Sequence, residues 1–285
     1  MTRRLELIGV ALVAVGVIAY WLTRPPATQT EKPLLARTGA VSSPSDVVQF
    51  WRLFRGATAE RIAGHDAEAA KAYRGALVLK PNHEDALYYL GSMDLHLGLL
   101  DSARVAWTRL VTVNSLSGRA HLQLGDLYLC YPEEAVFNPD SALSEYKRAH
   151  ALNREETGSV IRLGEAELVR GNFDNARRHF DDVLRTNHRS VQANFFAGYL
   201  AWKKGDTAVA QALYLRAFKA GAPSAKAGGF SNEGDVHPDT KAPPRTNCPL
   251  LLPLFENLSP SDDVAAVYQR MESFLARHVH RAGGA

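Results

Sequence analysis

The chain repeats itself over most of its length, and this internal period constrains its fold more than any other feature. A leucine or alanine followed by glycine recurs along the sequence, and two of the three intervals between copies are 34 residues. The third interval is 39 residues, so five residues have been inserted there. A period of this length predicts stacked helical hairpins, because no single hairpin buries its apolar face alone. The copies are Leu90-Gly91, Leu124-Gly125, Leu163-Gly164 and Ala197-Gly198.

Each copy continues into a second helical segment that carries alanine and an aromatic residue at fixed offsets. Ala103 and Trp107 follow the first pair, and Ala176 and Phe180 follow the third. Glycine inside a helix costs about 1 kcal/mol relative to alanine, so its recurrence predicts close packing of the second helix. A further glycine between the helices is expected to end the first helix in a left-handed conformation, and the aspartate after it to cap the second. These turn glycines are Gly64, Gly98, Gly171 and Gly205.

This period and these residues resemble the tetratricopeptide repeat (TPR) family. The resemblance implies an all-α fold, a TPR solenoid of about five helix-turn-helix repeats at residues 46–224. The third repeat departs from the pattern, because residues 131–140 replace its glycine turn. This insertion is either a tolerated surface loop or a contact element on one rim of the solenoid. The five repeats are expected at about 50–83, 84–117, 118–156, 157–190 and 191–224.

The N-terminus predicts a membrane anchor. Residues 5–22 are apolar apart from Glu6, and eighteen residues of helix span roughly 27 Å, close to the hydrocarbon thickness of a bilayer. We therefore expect a transmembrane anchor at residues 1–24 and a flexible linker at 25–45. The competing interpretation is a cleavable signal peptide, which the bulky residues Tyr20 and Trp21 disfavour.

Localisation follows from the anchor. A short basic N-terminal tail usually stays in the cytoplasm, which predicts a single-pass protein of the inner (plasma) membrane with a periplasmic or extracytoplasmic soluble domain. The charges that flank the apolar stretch do not decide this orientation, because Arg3 and Arg4 precede it and Arg24, Lys32 and Arg37 follow it.

The resemblance to TPR proteins also implies a concave groove lined by the first helix of each repeat. This lining would be apolar and aromatic, which suits an amphipathic helix or an extended apolar peptide. It lacks the lysine and asparagine pattern with which some relatives clamp a terminal carboxylate. The alternatives are that several of these side chains belong to the core or are covered by the protein's own tail. The candidate partner-binding residues are Trp51, Phe54, Tyr88, Leu122, Asp126, Ile161, Glu165, Phe195, Tyr199 and Trp202.

Beyond the repeats, residues 225–285 predict an irregular tail with a C-terminal helix. Prolines interrupt the apolar run at 249–255, and apolar residues then recur at helical spacing over about 262–279. We expect this helix to cap the solenoid or lie in its groove, and the apolar run to pack against the last repeats.

Composition and motifs narrow the function further. Lys and Arg number 33 against 30 Asp and Glu, which gives no reason to expect nucleic acid as a partner. No sequence motif for catalysis, a metal or a cofactor is present, so we expect a protein that is not an enzyme and needs no cofactor. Cys130 and Cys248 could pair if the soluble part is exported, and the sequence leaves this open.

The function that these features predict is a membrane-anchored TPR scaffold. It would mediate protein–protein interaction as a structural subunit or assembly factor of a membrane or envelope complex. Its expected partners are membrane or exported proteins, and the membrane itself through residues 5–22. The alternatives are a maturation factor for exported proteins of the cytochrome c biogenesis type, a glycan- or lipid-binding envelope protein, and an enzyme with its site in the insertion and tail.

Overall fold

Helices account for nearly all of the regular structure. A computed structural model describes residues 43–133, 136–221 and 248–282, and within these ranges it contains eleven α-helices, one short 3-10 helix and no strand. The first ten α-helices pack as five consecutive pairs, which confirms the predicted all-α solenoid of five helical repeats. The α-helices are α1 (Pro44–Ile62), α2 (Asp66–Leu79), α3 (Glu84–His96), α4 (Leu100–Val113), α5 (Gly118–Cys130), α6 (Pro139–Leu152), α7 (Thr157–Val169), α8 (Phe173–Thr186), α9 (Val191–Lys203), α10 (Thr207–Gly221) and α11 (Val264–Ala282).

The predicted anchor at residues 1–24 and nearly all of the predicted linker lie outside the described residues. Among the residues that are described, no helix is both long enough and apolar enough to cross a membrane. The solenoid begins slightly earlier than predicted. Helix α1 starts at Pro44, two residues before the predicted boundary. Proline is favoured at this position because the first helical N–H has no partner within the helix.

Glycine turns join the helices of four repeats, as predicted. Gly64, Gly98, Gly171 and Gly205 all adopt positive φ angles, between 72° and 85°. The predicted aspartate caps are correct only at Asp206, whose carboxylate accepts a hydrogen bond from the backbone N–H of Val209 at 3.0 Å. In the other three turns the aspartate lies one or two residues after the cap position, inside the first turn of the helix. There its negative charge interacts favourably with the positive end of the helix dipole.

The glycines inside the first helices are sites of close helix packing. A Cβ at Gly164 would lie 2.6 Å from the ring of Phe180, and one at Gly91 would lie 2.6 Å from Cε2 of Trp107. These distances are too short for any real contact, so only glycine lets the aromatic ring of the second helix approach the first. The buried rings are fully enclosed, and they form the core of each repeat.

The insertion in the third repeat is anchored to the solenoid. The side chain of Asn138 caps α6 by accepting a hydrogen bond from the N–H of Ser141 at 2.9 Å. Its own backbone N–H donates to the carbonyl of Tyr128, and Val136 is buried beside Trp107 and Leu127. The loop is therefore part of the packed structure, and a role in partner contact stays a prediction.

After the repeats, the chain returns to the solenoid at residue 248. A 3-10 helix, Leu252–Phe255, replaces the irregular apolar run that the prolines had suggested. The C-terminal helix α11 begins two residues later than expected and extends to Ala282. Cys130 and Cys248 form a disulfide, which answers the question that the sequence had left open.

Candidate partner-binding groove

The C-terminal segment, residues 248–282, packs on the later repeats. Its helix α11 contacts α7, α9 and α10, so it lies across the first helices of the fourth and fifth repeats. Phe195 and Tyr199 on α9 are almost fully buried there. The ring of Tyr268 lies 5.7 Å from that of Phe195 and 6.0 Å from that of Tyr199, which are ordinary distances for packed aromatic pairs.

Tyr268 uses the same local arrangement that the repeats use internally. In the second repeat, the indole N–H of Trp107 beside Gly91 donates to the carbonyl of Tyr88 at 3.1 Å. In the fifth repeat, the hydroxyl of Tyr268 beside Gly198 donates to the carbonyl of Phe195 at 3.2 Å. In both cases the carbonyl belongs to the residue three positions before the glycine. The C-terminal helix therefore supplies to α9 an aromatic contact of the kind that a second helix supplies elsewhere.

Polar contacts fix the position of α11. The hydroxyl of Tyr199 donates to the carboxylate of Glu272, which also pairs with the ammonium of Lys203 at 2.7 Å. Burial alone would raise the pKa of Glu272, but the hydrogen bonds from Lys203 and Tyr199 and the charge of Lys203 outweigh it and lower that pKa. At the start of the helix, the hydroxyl of Tyr214 donates to the carbonyl of Ser259 at 2.8 Å.

The apolar run before α11 packs against the groove, as hypothesised from the sequence. Leu251 and Phe255 are buried, and the ring of Phe255 lies 4.7 Å from that of Phe195. The backbone N–H of Leu250 donates to the carbonyl of Cys130 at 3.1 Å, next to the disulfide. The segment is thus attached at α5 and extends to α9.

Five of the ten candidate residues are engaged in contacts within the chain, three of them with the C-terminal segment and two, Glu165 and Asp126, in a charge cluster between repeats. Phe195 and Tyr199 are covered by the C-terminal segment, and Trp202 is half-buried against the rings of Tyr199 and Tyr268. Glu165 is fully buried. The sequence pattern placed these side chains correctly on the first helices, but in this structure they face the protein's own segment or core.

Glu165 belongs to a buried charge cluster between the third and fourth repeats. The guanidinium of Arg162 donates to Asp126 and to Glu165, each at 2.8 Å, and the hydroxyl of Tyr146 donates to Asp126 at the same distance. Burial raises the pKa of Glu165, although the charge of Arg162 opposes this shift. Asp126 therefore has a structural role in joining two repeats, in addition to its predicted place in the groove.

The first repeats present the open part of the groove. The apolar clusters of the first two repeats contain no residue of the C-terminal segment. Trp51 is 42% exposed, and Phe54, Tyr88 and Leu122 are half-buried. Leu122 marks the boundary, because it also packs against the cluster that includes the C-terminal segment. Ile161, half-buried on α7, packs against that cluster as well.

A cluster of aromatic side chains forms most of this open half of the groove. The rings of Trp51 and Phe54 lie 5.8 Å apart, and His83 packs 5.1 Å from Phe54. The ammonium of Lys80 lies 5.4 Å from the ring of Trp51, within the range of a cation–π contact. The Nδ1 atom of His83 accepts the N–H of Ala86 at 3.3 Å, and burial lowers the pKa of this imidazole, which favours its neutral form. Sequence reasoning assigned no binding role to Lys80 or His83, because they lie in the turn after α2.

Two arginines border the same surface. The guanidinium of Arg119 lies 4.4 Å from the ring of Tyr88 and pairs with Asp85. The guanidinium of Arg61 lies 4.4 Å from the ring of Tyr89, and no described carboxylate pairs with it. The open half therefore combines aromatic surface with cationic edges.

Comparison with known proteins agrees with this architecture. Residues 55–115 and 161–226 match the tetratricopeptide repeat family model. Together with the five packed helix pairs, this match shows that the chain contains TPR repeats.

The similar proteins are varied. Cellulose synthase 2 operon protein C from Komagataeibacter xylinus is 26% identical over 156 residues, which are 55% of this chain and 12% of that protein. The chain thus spans about one eighth of the length of this relative. A crystal structure of MamA is 22% identical with a TM-score of 0.53, covering 57% of this chain and 93% of that one. YrrB, described as a TPR protein with an unusual peptide-binding site, is 20% identical with a TM-score of 0.51, covering 59% and 84%. At these identities the structural likeness shows the fold alone.

Proposed function

We propose that the protein is a membrane-anchored scaffold that binds a protein partner through the open half of its groove. The observation that carries this proposal is the unequal use of the groove. The later repeats are filled by the chain's own C-terminal segment, whereas the first repeats leave Trp51, Phe54 and Tyr88 accessible. Exposed aromatic residues clustered in a concavity are frequent centres of binding energy at protein interfaces. The proposed role is assembly or structural support of a membrane or envelope complex, without catalysis.

The disulfide supports an extracytoplasmic location for the solenoid. Cys130 and Cys248 are both buried, and they join positions 118 residues apart in the sequence. Structural disulfides persist in oxidising compartments such as the periplasm and are rare in the cytosol. Residues 5–22 would then cross the inner (plasma) membrane with the solenoid on the outer side, and the partners would be membrane or exported proteins.

The chain's own segment indicates what kind of partner the groove accommodates. The apolar run containing Leu251 and Phe255 forms a short 3-10 helix that includes a proline, and the ring of Phe255 packs against aromatic residues of α9. A partner segment of similar character would suit the aromatic surface around Trp51 and Phe54. YrrB, a TPR protein with an unusual peptide-binding site, supports this use of a TPR surface.

Site-specific photocrosslinking in intact membranes tests the proposal. A photoreactive amino acid at position 54 lies in the open groove, and the same amino acid at position 105 lies on α4 at a residue that is 60% exposed. We expect a discrete crosslinked product from position 54 and none from position 105. Trp51→Ala should reduce the product from position 54 at least severalfold, since aromatic hot spots typically contribute about 2 kcal/mol or more. Equal products from both positions, or none from position 54, would contradict the proposal.

A second candidate function is contact with a polysaccharide. The relative from Komagataeibacter xylinus is named for a cellulose synthase operon, and Trp51 offers an exposed indole face next to Phe54. Calorimetry against cello-oligosaccharides distinguishes this alternative. If the unaltered protein gives a heat of binding and the Trp51→Ala variant gives none, a glycan ligand is favoured. If the unaltered protein gives no heat of binding, this alternative is excluded.

A further inference from the structure

The solvent-facing side of α1 is an exposed apolar and basic surface at the first end of the solenoid. Val48 is 70% exposed and Ile62 is 75% exposed, although both are large aliphatic side chains. Their positions, together with those of their neighbours, fall within about 120° of the helix circumference at 100° per residue. We call this surface the α1 outer face, and it comprises Val48, Arg52, Arg55, Ala59 and Ile62, all of which are exposed.

The charge of the α1 outer face is entirely positive. Arg52 and Arg55 have no carboxylate partner among the described residues. The acidic residues of the helix, Asp46 and Glu60, project from other sides of it, and Glu60 pairs with His65. The opposite end of the solenoid differs, because α11 packs there against the last repeat. Terminal repeats of a solenoid need a cover or a polar outer face, and the α1 outer face is only partly polar.

Charge complementarity disfavours two possible occupants of this face. Residues 1–42 contain five basic and two acidic residues, so the chain's own N-terminal part is itself basic. A second copy related by a two-fold axis would bring Arg52 and Arg55 against the same arginines, because such an interface uses one patch twice. The occupant that fits is therefore an anionic surface that also accepts apolar side chains.

We propose that the α1 outer face binds the anionic headgroup surface of a membrane. Arginine side chains reach phosphate groups while their aliphatic stems stay in apolar surroundings, and the apolar side chains of an amphipathic helix enter the boundary between headgroups and acyl chains. The predicted membrane span ends at Leu22 and α1 begins at Pro44, so the membrane that holds the span is available to this helix. This step rests on the proposed anchor.

The size of the effect follows from the two arginines. Each basic residue near an anionic lipid surface is expected to strengthen binding about fivefold, so neutralising both should weaken docking of α1 about 30-fold. The apolar side chains would contribute in lipids of any charge. Docking should therefore depend on anionic lipid and weaken with added salt.

An environment-sensitive dye on α1 provides the test. Both native cysteines form the disulfide, so Ala59→Cys gives one free thiol in the centre of the α1 outer face. The labelled full chain is reconstituted into nanodiscs of phosphatidylcholine, with or without phosphatidylglycerol. We expect a blue-shifted emission only with phosphatidylglycerol, lost in an Arg52→Gln and Arg55→Gln double variant.

A matched control distinguishes an effect of the α1 outer face from an effect of net charge. Arg216 and Lys219 are also exposed, lie three residues apart on one helix, and occupy α10 at the other end of the solenoid. Replacing both by glutamine changes the net charge equally and should leave the emission shift intact. Equal loss in the two double variants, or a shift that does not depend on phosphatidylglycerol, would overturn the proposal.

Two further outcomes are informative. If the chain does not remain with the discs, the membrane anchor has failed, and flotation of the same labelled chain with vesicles of both compositions then tests the α1 outer face separately. If the shift occurs in native membranes but not with purified lipids, the occupant is a protein, and the lipid proposal is wrong.

Discussion

The contact between Gly198 and Tyr268 offers the sharpest test of how the C-terminal segment is held. A Cβ at position 198 would overlap the hydroxyl of Tyr268 and lie 3.2 Å from its Cζ atom and 3.3 Å from the carbonyl oxygen of Ala210. Gly198→Ala should therefore loosen α11, a helix that is distant in sequence from the substitution. Most of the overlap involves the hydroxyl, so Tyr268→Phe should relieve it.

The expected magnitudes come from two opposing effects. Overpacking a well-filled site costs about 1–3 kcal/mol, and replacing glycine by alanine inside a helix returns about 1 kcal/mol. Gly198→Ala alone should then lower the docking free energy of α11 by about 0–2 kcal/mol. Tyr268→Phe alone removes one hydrogen bond to the carbonyl of Phe195, which costs about 0.5–1.5 kcal/mol. In the Tyr268→Phe variant, Gly198→Ala should leave the docking free energy of α11 unchanged or make it more favourable. The coupling free energy between the two substitutions should therefore be about 1–3 kcal/mol.

Hydrogen exchange under native conditions is the appropriate assay, because it reports the local opening of α11 while the repeats stay folded. The four proteins of the double-mutant cycle are compared with the disulfide intact. Gly164→Ala serves as the control. Its Cβ would meet the ring of Phe180 at 2.6 Å, inside the fourth repeat, so its effect should be independent of Tyr268.

The reasoning is refuted if Gly198→Ala costs as much in the phenylalanine background as in the unaltered protein. It is also refuted if Gly198→Ala changes exchange throughout the solenoid and leaves α11 unaffected. Either result would mean that Tyr268 does not occupy the space beside Gly198 in solution.

Three further predictions concern the same segment and its support. Cys248→Ser should lower the free energy of unfolding by up to about 5 kcal/mol in denaturant titrations, because the bond to Cys130 closes a loop of 118 residues, and an unchanged titration midpoint would contradict this. Glu272 has a lowered pKa in the folded protein, so its ionised carboxylate stabilises the docked helix α11 above the unfolded pKa near 4.5, and this stabilisation is lost as pH falls through the folded pKa. Glu272→Gln should therefore remove the acid-dependent opening of α11 in hydrogen exchange. An acid response that persists in this variant would count against the prediction. Arg162→Met should cost about 3–5 kcal/mol in denaturant titrations, since it leaves the buried Glu165 and the partly buried Asp126 without a cationic partner, and Glu165→Gln should cost much less. Equal costs would argue against the buried ion cluster.

The repeats could be predicted from the sequence because their packing imposes a period. Gly91 and Gly164 must be glycine for aromatic rings to approach the first helix, and this requirement recurs wherever the helix pair recurs. The turn glycines were predictable for a similar reason, since a left-handed residue ends the first helix in four repeats. The aspartate caps were predicted less well. A shift of one residue in the start of a helix moves an aspartate from the cap into the first turn, and such boundaries depend on packing rather than on the local pattern.

The state of the groove could be predicted only in part. The sequence predicted Phe195 and Tyr199 on the first helix of the fifth repeat, but the pattern within one repeat carries no information about a segment 73 residues away. The C-terminal segment has no repeat period, and its docking depends on single contacts such as that between Phe255 and Phe195. The disulfide likewise joins two cysteines whose proximity follows only from the complete fold.

The division of the groove limits how a partner can bind. The aromatic residues of α9 are already covered by a segment of the same chain, which competes with any partner at a high effective concentration. A partner must therefore gain most of its affinity from Trp51, Phe54 and Tyr88, which at about 2 kcal/mol each correspond to modest affinity in free solution. Confinement of both proteins to one membrane would raise their effective concentration and compensate for this. We therefore expect the partner to dissociate when the membrane is solubilised, and crosslinking at position 54 that is equally efficient before and after solubilisation would contradict this view.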